Sequence, residues 1–133
     1  MNIQTNQARI LLRCAQLAAA FEAWLREEGD SLIAAADLLG GSTWKTRADN
    51  VVTAITHGAS AIEVLDDLKL LRRLLELEYL DDPFCEEANR FAMVHPDDAR
   101  ADEARICAEA LETGIKALGA IARAGFGSHE EVV

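Results

Sequence analysis

Leucine recurs eight times between Ser60 and Pro83, in the run SAIEVLDDLKLLRRLLELEYLDDP. Ser60 with Glu63 three residues on forms a capping box, the signature of a helix start. Asp81-Asp82-Pro83 marks the stop, because proline cannot continue a helix. Placed at about 100° per residue, the apolar side chains fall into two stripes. Val64, Leu68, Leu71, Leu75 and Tyr79 make a broad one; Leu70, Leu74 and Leu77 make a narrow one. Asp67 and Glu78 divide them, and Lys69, Arg72, Arg73 and Glu76 fill the remaining arc. A helix with two apolar sides must be covered on both, by neighbours in its own fold or by a second chain.

The rest of the chain reads as helix too. Alanine and leucine abound, aromatics make up 5%, and proline occurs only at Pro83 and Pro96. Such residues lose little entropy in a helix. The pattern predicts six helices and no strand. The first runs from about Thr5 to Glu28 with Ile10, Cys14, Leu17, Phe21 and Trp24 inward, and Gly29 ends it. A short second helix, capped by Asp30 or Ser31, stops at Gly40-Gly41. A third, capped by Ser42 or Thr43, turns Trp44, Ala48, Val51 and Ile55 inward and closes at His57-Gly58. The leucine-rich helix is fourth. A fifth starts at Asp82-Pro83 and ends at His95, before Pro96. The sixth runs from near Asp97 to about Ala124, with Ala104, Cys107, Leu111, Ile115, Leu118 and Ala122 as its stripe. Gly114, beside Ala110 and Ala117, predicts close approach of another helix, with Ala18 to Ala20 as candidates. The expected fold is all-α, a single compact bundle of five to six mostly antiparallel helices over residues 1–124, with a flexible tail over 125–133.

The formal charge is −10, with the excess from Ser60 onward. That favours solubility and disfavours nucleic acid, while suiting a basic partner protein. Three widely spaced cysteines, Cys14, Cys85 and Cys107, suggest a reducing compartment rather than a disulfide framework. The polar first residues lack the pattern of a signal peptide, and charges interrupt every apolar run that might span a bilayer. The expected setting is cytoplasmic, with no membrane contact.

Three groups of residues carry possible chemistry. Ala36, Leu39, Gly40 and Ser42, followed by Lys45 and Arg47 early in the next helix, resemble a helix-turn-helix unit over residues 31–57. That resemblance would place Lys45 and Arg47 at base edges. The chain departs from it at Gly41, Thr46 and Asp49, where apolar residues are usual. Arg90 and His95 match the Arg-x4-His spacing of the HEPN ribonucleases, small helical bundles that are often dimeric. The resemblance implies that Arg90 would hold the scissile phosphate and His95 would serve acid–base chemistry; Phe91 replaces the polar residue expected after the arginine. Glu63, Asp66 and Asp67 resemble half of the magnesium motif of all-α nucleotide pyrophosphatases. The other half would need Glu27 and Asp30, which straddle a helix end, so cap and solvated carboxylates explain these residues better. No histidine or cysteine spacing fits a zinc or di-iron site, and no cofactor or metal is expected.

These patterns favour a non-catalytic protein that works by protein–protein binding, as an adaptor, inhibitor, immunity factor or chaperone does. Leu70, Leu74 and Leu77 are its candidate contact residues, and its partner would be another protein or a second copy of itself. The alternatives are a HEPN-like ribonuclease using Arg90 and His95, and a helix-turn-helix regulator using Lys45 and Arg47.

Overall fold

The structure is a computed structural model and describes residues 3–78, 87, 90, 92–95 and 97–126. Helices α1 (Ile3–Glu27), α2 (Gly29–Gly40), α3 (Ser42–Thr56), α4 (Leu65–Leu75) and α5 (Ala99–Ile121) form an all-α bundle. There is no strand among the described residues. A 3-10 turn, Ala61–Val64, leads into α4, and a π-helical turn, Ala122–Phe126, continues α5.

α5 is the central element and packs against α1, α2 and α4, while α3 covers α2 and touches α1 and α4. Leu25 of α1, Leu32 of α2, Val51 and Ile55 of α3, Leu68 and Leu71 of α4, and Leu111 and Leu118 of α5 meet in one core. Each such side chain contributes roughly 1.5–3 kcal/mol by leaving water. α1 and α5 are antiparallel: Phe21 lies on Gly114, whereas Glu28 lies beside Glu103 and Cys107. A Cβ at Gly114 would fall on the Phe21 ring. The close approach expected at Gly114 is therefore present, with Phe21 as the contact.

The helix boundaries follow local chemistry, with three corrections. Gly29 is not a terminator of α1 but the first residue of α2, joined to α1 through Glu28 alone. A side chain at Gly29 would strike Val52, so glycine lets α2 press against α3. Gly41, at φ 85°, makes the break between α2 and α3 and is itself the N-cap, so neither Ser42 nor Thr43 caps α3. The third correction concerns the leucine-rich helix. Its capping box forms as expected: Ser60 N–H donates to the Glu63 carboxylate at 2.7 Å, and Ser60 Oγ accepts from Ile62 N–H. Yet α4 ends at Leu75, well short of Asp81. Arg72 bonds Glu76 at 2.6 Å as the helix closes, and Leu77 turns to φ 63°. A left-handed leucine costs about 1–2 kcal/mol; packing of Leu77 against the core offsets it.

The helix expected from Asp82 to His95 lies mostly outside the described residues, although Glu87, Arg90 and Ala92 have helical backbone. α5 opens on Asp98, whose carboxylate accepts from Arg100 N–H at 2.9 Å. The expected tail beyond Phe126 lies outside the described residues. No helix among the described residues is long and apolar enough to cross a membrane.

Candidate interaction face

α1 has 25 residues and α2 only 12. At about 1.5 Å per residue, α1 outruns α2 by roughly 20 Å. Its contribution to the buried core is confined to Ala18, Phe21 and Leu25. Every residue from Asn6 to Arg13 is exposed. Ile10 is 60% and Leu12 61% exposed, with Leu11 also open. This corrects the inward stripe expected from the spacing: Ile10 lies outside the core, and Cys14, Leu17 and Trp24 are only half-buried.

The exposed arm leads into a groove. Leu17, Ala20 and Trp24 of α1 form one wall, and Ile106, Ala110 and Thr113 of α5 the other, around about 350 Å³. Phe21 and Trp24 stack beneath it, with ring centroids 6.0 Å apart and planes 13° off parallel. Ile106 is 60% exposed at the rim. Past Trp24 the groove continues into a depression lined by Glu28, Ser31, Glu103 and Cys107. Burial pushes the Cys107 thiol up to about 11, with Glu103 and Glu28 adding to the effect. That thiol is packing, not a nucleophile.

Charge is polarised along this face. α1 carries Arg9 and Arg13 and no acid before Glu22. Neither arginine is in an ion pair among the described residues. The far end of the groove carries Glu28, Glu103 and Glu109.

The residues singled out from sequence fall elsewhere. Leu74 is 2% exposed and belongs to the core; Leu70 and Leu77 pack half-buried against it. Of the narrow stripe, Leu74 is covered within the chain, while Leu70 and Leu77 stay partly open. The divider Asp67 receives Arg47 at 2.9 Å, and Glu78 lies 3.9 Å from Arg72. Arg47 also stacks over Trp44, 5.2 Å from the ring centroid, while Lys45 is exposed. Arg47 thus ties α3 to α4. Trp44 in turn donates from Nε1 to Glu87 at 3.0 Å.

Arg90 and His95 both line a depression of about 330 Å³, together with Arg100 and Asp98. Arg90 Nη2 donates to the Asp37 carbonyl at 3.0 Å, and its guanidinium lies against Gly41. It therefore holds the end of α2. His95 Nδ1 accepts from Asp97 N–H at 3.1 Å. Arg100 grips Asp98 through two bonds, at 3.1 and 2.8 Å, and holds that carboxyl below the usual carboxylate range. Asp66 and Asp67 gather no further ligands: no group of His, Cys, Asp and Glu among the described residues could hold a metal ion.

Sequence reasoning passed over Ile106, which lies off the α5 stripe and is too large for a solvated helix face. That mismatch was the available signal. For Ile10 there was none, since its spacing matches the core residues and only the lengths of the neighbouring helices expose it. No protein-family model, curated protein or solved structure matches the chain.

Proposed function

We propose that this chain acts by binding another protein chain through the α1–α5 face, without catalysis of its own. One observation carries the reading: the run from Asn6 to Arg13 is exposed throughout and bears three large aliphatic side chains. Of these, Ile10 lies on the side of α1 that bears Leu17 and Trp24, so exposed apolar surface runs from the arm into the groove, which suits a docking site. The contact residues in this reading are Ile10, Leu17, Trp24 and Ile106, in place of Leu70, Leu74 and Leu77. Adaptor, inhibitor, immunity and chaperone roles all fit such a surface.

The test is binding by the wild type and an Ile10→Glu/Ile106→Glu variant, with the protein isolated from its native cell and its associated chains identified. Both substituted residues are open, so the variant keeps its helicity. The expected result is an associated chain, identical or different, that the variant loses. Equal association by both proteins refutes the reading.

A second reading, RNA cleavage of the HEPN type, draws support from the shared depression of Arg90, His95 and Arg100. It expects cleavage that is lost in both Arg90→Ala and His95→Ala. Cleavage that survives His95→Ala removes it, because no other histidine among the described residues lines that depression.

A further inference from the structure

We infer that the partner on this face is a second copy of the same chain, docked about a two-fold axis that passes near Leu17. The inference rests on the binding reading above and adds the identity and register of the partner. The face is self-complementary in both shape and charge. One end is a convex helix arm with exposed Ile10 and with Arg9 and Arg13 outside any ion pair among the described residues. The other is a concave groove with small residues, Ala20, Ala110 and Thr113, at its walls and Glu28, Glu103 and Glu109 around its far end. Asn6, Ile10, Arg13, Leu17, Ala20 and Trp24 lie on the same side of α1 at the spacing of 3.6 residues per turn. Arm and groove therefore point the same way.

An isologous contact requires that a patch meet itself, so that if one residue touches another, the reverse holds across the axis. Two antiparallel α1 helices centred on Leu17 satisfy this. Ile10 of each copy comes level with Trp24 and Ile106 of the other. Arg9 comes level with Glu109 of the other copy, with Glu103 about two turns further along, and Arg13 comes level with the Phe21–Gly114 contact. A parallel alignment fails, because it sets arginine against arginine and glutamate against glutamate. The small groove residues let the axes approach to the 8–10 Å of ordinary helix packing. With the axis at Leu17, α1 overlaps its copy over about 31 Å, and a face about 20 Å wide offers roughly 600 Å² per copy, the lower end of standard interfaces. The first 21 residues carry Arg9 and Arg13 and no acid, which suits the arm to the acidic end of the groove.

Sedimentation or light scattering of the full chain, with circular dichroism on every variant, tests this. The wild type is expected to dimerise, and Ile10→Glu to weaken the dimer roughly 30-fold or more, since each substitution enters an isologous contact twice. A charge exchange tests the register without touching apolar packing. Arg9→Glu/Arg13→Glu alone and Glu103→Arg/Glu109→Arg alone are each expected to be monomeric, because each sets like charges together. Mixed, they are expected to form heterodimers, because both contacts are then between opposite charges. A wild type that stays monomeric into the high-micromolar range overturns the inference, whether that monomer then binds a different protein or anionic vesicles. Loss of a different protein in Ile10→Glu/Ile106→Glu would then leave the binding reading intact with another partner. A dimer that survives both charge variants places its interface elsewhere and overturns the inference too.

Discussion

Gly114 and Gly119 stand five residues apart in α5, and the same substitution should move stability in opposite directions at the two sites. Alanine in place of a helical glycine contributes about 1 kcal/mol through the backbone alone. At Gly119 a new Cβ meets only the far end of Arg123, at 3.4 Å. That is ordinary contact, so Gly119→Ala should stabilise by about 0.5–1 kcal/mol. At Gly114 the Cβ falls among Cγ, Cδ1 and Cδ2 of Phe21. These atoms form the base of the ring, which is buried and stacked on Trp24. The ring cannot swing aside without parting from that neighbour. Forcing one carbon into a packed contact costs about 1–3 kcal/mol or somewhat more, which outweighs the helical gain. The expected net loss for Gly114→Ala is about 1–2 kcal/mol, or a midpoint lowered by roughly 3–8 °C for a chain of this size. Thermal and urea unfolding followed by circular dichroism, with both variants beside the wild type, reads the difference. If Gly114→Ala melts at or above the wild type, the close approach of α1 to α5 is not what glycine is there for.

Other consequences are more local. Leu74→Asp places a carboxylate in the core and should cost the chain its helicity at room temperature; a variant that stays folded would mean that Leu74 is not internal. Ser60→Ala should cost about 1 kcal/mol, and Ser60→Ala/Glu63→Ala less than the sum of the two single changes, because one capping box supplies both bonds; additive urea midpoints would contradict this. Cys107 favours its protonated form in the fold, with a pKa raised to about 11 from the ordinary value of 9.0. The folded state then holds a proton that the unfolded state releases, so this contribution is fully present below pH 9 and is lost as pH rises from about 9 to 11. In a Cys85→Ser background at pH 8, a thiol reagent should modify half-buried Cys14 while sparing Cys107. Rapid labelling of Cys107 in the folded protein would refute its burial.

The helical class and most element starts are readable from local chemistry. Ser60 with Glu63, Gly41 and Gly58 act within a few residues of themselves, through a side-chain oxygen or a backbone angle that glycine tolerates. The broad stripe of α4 is likewise legible, because Leu68, Leu71 and Leu75 recur at the helical period and all three are buried. The end of α4 is not. Nothing between Leu75 and Pro83 forbids a helix, and the chain leaves it because Leu77 packs against the core. Gly29 misleads for a similar reason: its role concerns Val52, in another helix.

The interaction face shows the same division most clearly. The sequence by itself determined that every element is a helix, that the chain carries more leucine than one stripe per helix can explain, and that the start of α1 is basic and free of acids as far as Glu22. Those properties depend on residue type and on a fixed spacing of 3.6. Tertiary structure decided which apolar residues are left over. Leu74 is buried and Leu70 and Leu77 pack half-buried against the core, whereas Ile10, on the same helical spacing as the α1 core residues, stays exposed. A period says which side of a helix is apolar; how far the neighbouring helices extend along that side says whether it is covered.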